Sequence, residues 1–422
     1  MRDSPKSFLV TALLLAALTS AAAQESSVAT SAVFRHYADR VVKIQVVETG
    51  SAAKATIGSG FFVDADGDLI TNYHVVSKLI NAPDRYRAEM IDITGAAHPV
   101  RILDIDAVAD LAVLTTDVRG HAHFTLAPTT IAQGDRLYSM GHPEDLGLSI
   151  VEGTYNGYLP HARQARLHFT GSLNHGMSGG PTITDDGRVV GVNVATEGDE
   201  LSFLVPVEKA TDLLHRATAS SGERAPARSL QQVGQQLRDY QNAYLRDMFT
   251  GDVKTIALGP FHVPTEPAPF FRCWADASRR KELPYESVTH RCSTDDYVFI
   301  AGDQSSGVIT LEHQLISTTK LNPLRFFSLY TTIFERDNTP SGEEEHVTSW
   351  KCGTRNVRNG DTPMRAVLCL RRYRKLGELY DAVLKVAVLG HGNVGLVSTL
   401  TLSGVTFDNV QKLSRRYLEH IT

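Results

Sequence analysis

The sequence predicts a mainly β protein built as two units. The first is a sandwich or a pair of barrels, and the second is a disulfide-bonded antiparallel β-rich domain with a C-terminal helix. Three observations predict this. Short apolar or alternating runs recur between turn residues from about Ser31 to His215, the pattern of many short strands. Longer alternating runs fill the second half, as expected of an antiparallel sheet with one wet face. All four cysteines, Cys273, Cys292, Cys352 and Cys369, lie in that second half. A chain of 422 residues can bury a core in each of two domains.

Taken in order, the chain begins with Arg2 and Lys6, the apolar run Phe8 to Leu18, and the small residues Ala21-Ala22-Ala23. This reads as a signal peptide over residues 1–23, too short to span a bilayer, with the mature chain starting near Gln24. The expected first domain covers residues 31–216. Its strand candidates are Val41–Val47, Gly58–Val63, Leu69–Thr71, Ala109–Thr115, Arg136–Met140, Arg166–Thr170, Val189–Val194 and Ser202–Val205. Val207 to Arg216 reads as a short closing helix. Residues 217–250 form a linker, Thr218 to Ser229, then an amphipathic helix with Leu230, Val233, Leu237, Tyr240 and Tyr244 on one face. Residues 251–422 form the second domain, with strands expected at Val308–Leu315, Arg325–Phe334, Arg365–Arg372, Asp381–Leu389 and Leu396–Val405. A final helix carries Phe407, Val410, Leu413, Tyr417 and Ile421 on one stripe.

Composition narrows the function classes. Charged residues make up 21% and the net charge is −5, so no basic excess recruits nucleic acid or an anionic membrane. An even cysteine count behind a signal peptide reads as two disulfides in an oxidising compartment. Pairing Cys273 with Cys292 and Cys352 with Cys369 closes a local loop each time. No C-x-x-C spacing occurs, so no zinc site and no metal is expected. The protein is expected in the periplasm or outside the cell, with no stable membrane insertion after signal cleavage.

Three segments carry chemistry. In Gly176-Met177-Ser178-Gly179-Gly180-Pro181 a serine sits in a glycine-flanked turn. Such a turn lets a hydroxyl and the N–H groups of Gly176 and Ser178 converge on one carbonyl carbon, the latter as an oxyanion hole. Thr71-Asn72-Tyr73-His74-Val75-Val76 follows Gly58-Ser59-Gly60-Phe61-Phe62-Val63, and a neutral His74 can take the serine proton and return it to a leaving amine. Asp110 opens the apolar run Asp110-Leu111-Ala112-Val113-Leu114. Buried there, it would fix the histidine tautomer and stabilise the imidazolium. Asp104 and Asp106 are rival acids without that strand context.

The order His74, Asp110, Ser178 is that of the trypsin-like fold, not of the subtilisin or α/β-hydrolase folds. At these residues the chain resembles the trypsin-like serine proteases of the HtrA/Deg type. That family carries G-S-G-F, then T-N-x-H-V-V, then D-L-A-V-L or D-L-A-L-L, then G-N-S-G-G-P. All four occur here in order, with Met177 in place of the usual Asn. Gly141-His142-Pro143 resembles the family's G-N-P turn. Gly191 to Ala195 and Ser202 to Pro206 resemble its late strands. The resemblance covers residues 31 to 215 and implies a trypsin-like double β-barrel that hydrolyses peptide bonds in protein or peptide substrates, with no cofactor. The family's PDZ domain has no matching pattern after it.

In this fold the segment before the serine turn, here Ser172-Leu173-Asn174, borders the pocket for the residue preceding the cleaved bond. With no Asp six residues before Ser178, a Lys or Arg preference is not expected. Leu173, facing Asn193, Val194 and Ala195, suggests a small apolar pocket and cleavage after small aliphatic residues. The runner-up reading is an envelope binding or chaperone-like protein that uses the protease fold as a scaffold. The role of the second domain is not written in the sequence: a partner or an envelope ligand such as cell-wall material, the protease's own substrate, or simple shielding of the protease are the open readings. Other features are discounted: Asp64-x-Asp66-Gly67-Asp68 reads as a hairpin turn and not a calcium loop. His121-x-His123 lacks a third ligand, and Arg371 to Lys375 reads as a solvated face.

Overall fold

The structure is a computed structural model and describes residues 30–422 except 129, 195–201, 220–225, 279–281 and 295. The expected signal segment, Ala195 and the middle of the linker lie outside the described residues. Contacts divide the chain into two units: Met1–Asp104, Leu111–Leu159 and Ala165–Arg224 in one, and Ile105–Asp110, Pro160–Gln164 and Ala225–Thr422 in the other.

The chain enters the first unit through helix α1, described over residues 30–37. Six strands then follow: β1 (Val41–Glu48), β2 (Lys54–Phe62), β3 (Asp68–Thr71), β4 (Tyr86–Ile91), β5 (Ala97–Asp106) and β6 (Leu111–Thr116). They close a barrel in the order β1-β2-β3-β6-β5-β4. A second closed barrel, in the order β10-β11-β12-β9-β8-β7, is formed by β7 (Arg136–Gly141), β8 (Ser149–Tyr158), β9 (Leu167–Thr170), β10 (Pro181–Ile183), β11 (Val189–Val194) and β12 (Ser202–Pro206). Closure pairs every edge, which removes the unpaired strand that open sheets must protect. This is the double barrel of the trypsin-like fold. Between β3 and β4 lies α2 (Tyr73–Asn81), and α3 (Val207–Ala219) follows β12. The acidic run after β2 is a turn, as read: Asp64 Oδ1 accepts from the N–H groups of Asp66 at 2.9 Å and Asp68 at 3.0 Å. Gly67 takes φ +85° there, and a Cβ would meet Val118 O at 2.5 Å.

In the second unit α4 (Pro226–Thr250) precedes the hairpin β13 (Thr255–Leu258) and β14 (Phe261–Pro264). Then come β15 (Phe271–Ser278), β16 (Glu286–Thr294), the small hairpin β17 (Val298–Ala301) and β18 (Gln304–Ser306), and β19 (Ile309–Ser317). After α5 (Pro323–Glu335) the chain adds β20 (Lys351–Asn359), β21 (Thr362–Arg372), β22 (Leu379–Val388) and β23 (Val394–Thr406), and ends in α6 (Phe407–Glu419). Seven strands make one antiparallel sheet in the order β15-β16-β19-β23-β22-β21-β20. On one face Leu311, Leu384, Leu396, Leu400 and Leu402 pack with Leu245 and Met248 of α4 and Val410 and Leu413 of α6. On the other, Ile316, Ala387 and Val397 pack with Phe326, Tyr330, Ile333 and Phe334 of α5. Strand alternation supplies both sets: neighbouring Leu396 and Val397 enter opposite cores.

One expected strand is corrected. Arg325–Phe334 lies inside α5. Asn322 caps that helix, its side chain accepting from Arg325 N at 3.0 Å, and Pro323 fills the first turn. Phe326, Tyr330, Ile333 and Phe334 then recur at helical spacing against the sheet. The disulfides are Cys273–Cys292 and Cys352–Cys369, as expected. Each joins residues directly opposite across an antiparallel pair, β15 with β16 and β20 with β21. Both therefore fasten an outermost strand of the sheet to its neighbour.

Candidate active site

The serine turn is built by what surrounds it. Gly176 has φ +94°, and a Cβ there would lie 2.3 Å from His142 O. Gly179 has φ +86°, with Ser59 O only 2.2 Å from where its Cβ would sit. Neither position accepts another residue without moving backbone. Ser59 N donates to Ser178 O at 2.8 Å, and Ser59 Oγ donates to Gly176 O at 2.7 Å. The same Ser59 Oγ accepts from His142 N at 2.9 Å. Behind the turn, Gly179 N donates to Asn193 O and Asn193 N to Gly180 O.

With these bonds made, the N–H groups of Gly176 and Ser178 have no hydrogen-bond acceptor among the described residues. Both residues are buried. Two buried donors without acceptors are costly unless a ligand oxygen receives them. Such a pair is what a developing oxyanion requires.

His74 is the second residue of α2 and is partly exposed, while Tyr73, Val75 and Val76 beside it are buried. Its helix packs on the strip of β2 that carries the serine turn. A Cβ on Gly58 would meet Val75 Cγ2 at 2.5 Å and Ser178 O at 3.2 Å. A Cβ on Gly179 would stand 3.0 Å from Asn72 N. The structure thus brings the backbones around His74 and Ser178 onto the same two residues, Gly58 and Ser59.

Asp110 ends the turn between β5 and β6; it is buried and non-glycine, with φ +64°. In the pairing of β3 with β6, Thr71 stands opposite Ala112. Because the pair is antiparallel, the chain leaves β3 toward His74 at the same end where it enters β6 from Asp110. The rival acids have other partners. Asp104, wholly buried, accepts from Arg216 Nε at 2.9 Å. Asp106 Oδ1 accepts from Ala109 N at 2.9 Å and so shapes the turn.

The expected pocket residues divide differently from the sequence reading. Leu173 is buried in the core of the second barrel with Leu137, Phe169, Val190 and Leu204; it is a core residue and not an open pocket wall. Met177 points into that same core, which accounts for an apolar residue before the serine. Asn193 is wholly buried and its amide is fully used. Its Oδ1 accepts from Ser139 and Thr182 hydroxyls, and its Nδ2 donates to Met140 O and Met177 O. It braces the serine turn from behind. Val194 is partly exposed, and Ala195 lies outside the described residues. Ser59 was visible in the sequence only as a member of a motif. Its hydroxyl, between two glycines and opposite the serine turn, is the element that reasoning on the sequence missed.

Elsewhere Cys273, Cys292 and His290 hold their ligand atoms within 4.8 Å of one another. Both sulfurs belong to the Cys273–Cys292 disulfide, so neither is a thiolate able to hold a metal.

Residues 58–192 match the family model described as a trypsin-like peptidase domain. A protein from Bos taurus named "Serine protease HTRA2, mitochondrial" is 30% identical over 179 residues, covering 40% of this chain and 38% of that one. Its namesake from Drosophila virilis is 29% identical over 199 residues, covering 43% and 46%. The solved serine endoprotease from Yersinia pestis aligns with a TM-score of 0.40 at 24% identity, over 45% of this chain and 67% of that one. The chain spans less than half the length of the curated relatives it matches. Over residues 58–192, which lie within the two six-stranded barrels, the chain is accordingly similar to trypsin-like peptidase domains and to HtrA-type serine proteases.

Proposed function

We propose that this chain is an exported serine endopeptidase acting through His74, Asp110 and Ser178. Ser178 Oγ attacks the scissile carbonyl as His74 takes its proton. The carbonyl oxygen, now an anion, receives the N–H groups of Gly176 and Ser178. His74 then protonates the leaving amine, and the acyl group remains on Ser178 until water, activated by His74, releases it. Asp110 holds the imidazole in the tautomer that receives the proton. The observation that carries this reading is the pair of buried, acceptor-free N–H groups at Gly176 and Ser178, in a turn seated on the strip of β2 against which α2 packs.

The protease domain is taken as residues 31–216, with 217–250 as linker and helix and 251–422 as a β-rich domain. Export is supported by the two disulfides, which persist in oxidising compartments such as the periplasm or the extracellular space. No helix among the described residues is long and apolar enough to cross a membrane. Cleavage after small aliphatic residues now rests on Ser172, an uncharged residue six positions before Ser178, since Leu173 is committed to the core. The β-rich domain is assigned to a partner or an envelope ligand.

The test is labelling of the full chain by a fluorophosphonate. Wild type should be labelled and Ser178→Ala should not, with hydrolysis lower by on the order of 10⁶. Asp110→Asn should lose roughly 10⁴. A wild-type chain that refuses the probe would favour the binding or chaperone-like reading instead.

A further inference from the structure

We propose that Asp145 is a positioning residue for the oxyanion hole, held by Lys43 and Lys54 of the first barrel. The inference rests on the serine-protease reading and names a control on the same site. The segment from the last residue of β7 onward runs Gly141-His142-Pro143-Glu144-Asp145, and it forms one wall of the serine turn. Glu144 N donates to His175 O at 2.8 Å, and His142 O occupies the space where a Gly176 side chain would begin. His142 N and Gly176 O share the Ser59 hydroxyl. The orientation of the peptide between His175 and Gly176, and so the aim of the Gly176 N–H, is therefore set by this segment.

The segment does not hold its shape by backbone preference. Glu144 and Asp145 both adopt left-handed conformations, φ +46° and +64°, which non-glycine residues keep only when their surroundings impose them. What imposes them is Asp145. Its Oδ1 accepts from Lys43 Nζ on β1 at 2.6 Å, and its Oδ2 accepts from Lys54 Nζ at the start of β2. One carboxylate thus ties a strained segment of the second barrel to two strands of the first. The two ammonium groups hold the Asp145 carboxyl down to about 2, so the clamp stays charged wherever a His-based protease works.

All three groups are partly exposed: the Lys43, Lys54 and Asp145 side chains retain 17%, 45% and 31% of their accessible surface. Ion pairs of this kind add little to global stability and are screened by salt. Their effect should therefore appear in the geometry of the turn and not in the melting temperature. Loss of one oxyanion donor costs on the order of 10² to 10³ in rate; misaiming it costs a part of that.

The experiment follows inactivation of the full chain by a fluorophosphonate, whose phosphoryl oxygen enters the same pair of N–H groups. Asp145→Ala should lower the maximal inactivation rate by about tenfold, a part of that donor loss. Its half-saturating probe concentration and thermal midpoint should be unchanged. Asp145→Glu should restore much of the rate. The Lys43→Ala/Lys54→Ala double variant should match Asp145→Ala, and combining all three should add nothing. Wild type should slow toward the variants as sodium chloride rises to about 1 M, where the Debye length is about 3 Å, while the variants stay flat. Wild-type rates in both Asp145→Ala and the double-lysine variant would overturn the proposal, as would a rate loss accompanied by an equal loss of thermal stability. Failure of the wild type to react at all would remove the protease reading, a result distinct from either.

Discussion

Reduction of the two disulfides should weaken the second unit by an amount that can be worked from the chain. Cys273–Cys292 closes a loop with a sequence separation of 19, and Cys352–Cys369 one of 17. Loop-closure entropy gives about 3 kcal/mol for each bridge at 25 °C, so about 6 kcal/mol for both. With a urea slope of about 2 kcal/mol/M for a domain of this size, the midpoint should fall by roughly 3 M. The chain supplies its own reporter. Both tryptophans, Trp274 and Trp350, lie in this unit. Trp274 adjoins Cys273 and Trp350 stands two residues before Cys352. Urea titrations read by tryptophan emission, with and without a thiol reductant, measure the shift directly. The first unit contains no cysteine, so Ser178 labelling in the same samples without urea should persist. A midpoint that moves by less than about 0.5 M, or labelling that collapses on reduction alone, would refute the reasoning. Non-reducing peptide mapping should return the two local pairs and no Cys273–Cys352 fragment.

Three further outcomes follow from residues of the first unit. Asn193→Ala removes four side-chain hydrogen bonds behind the serine turn. At about 1 kcal/mol each it should cost about 4 kcal/mol, seen as an earlier urea midpoint for loss of Ser178 labelling; a change under 1 kcal/mol would contradict the bracing role. Asp104→Asn leaves Arg216 without its buried carboxylate and should cost about 2 kcal/mol of stability with near-normal labelling in native buffer, whereas a dead but stable variant would return Asp104 to the triad. Burial, reinforced by Lys43, lowers His142 from 6.5 to about 4. The unfolded chain therefore binds its proton first: stability from this group is complete above about pH 6.5 and is lost as the pH falls toward 4. His142→Gln should flatten that part of the stability profile, and a variant with the wild-type slope would exclude His142 as its source.

Much of the first unit was legible because its signals are local. Glycines at 58, 60, 176 and 179 mark close approaches of backbone, and those approaches are what the double barrel consists of at its centre. Strands β4, β5, β8 and β10 are not among those the sequence pattern predicts. Arg101, Asp104 and Asp106 interrupt the apolar pattern of β5, and β10 has only three residues. Direction was harder than identity. Nothing in the sequence says that Leu173 turns into the second barrel's core, because its apolar character fits a pocket wall equally well. Asp110 gave no sign of its left-handed backbone. In α5 the aromatic and β-branched residues from Phe326 to Phe334 imitate a strand, and only Asn322-Pro323 carried the helical start that decides the matter.

The placement of the two disulfides has a consequence for how copies of this protein meet. β15 and β20 are the outer strands of the seven-stranded sheet, and most of their residues are exposed. An open sheet end is where proteins exchange strands, each copy lending its outer strand to the other. Lending requires the strand to leave its own neighbour, and here each outer strand is covalently anchored to the one inside it. Oxidised copies can lay strands side by side but cannot trade them. Interlocked dimers of this unit should form only under thiol-reducing conditions, and should then be trapped if the disulfides close again between chains.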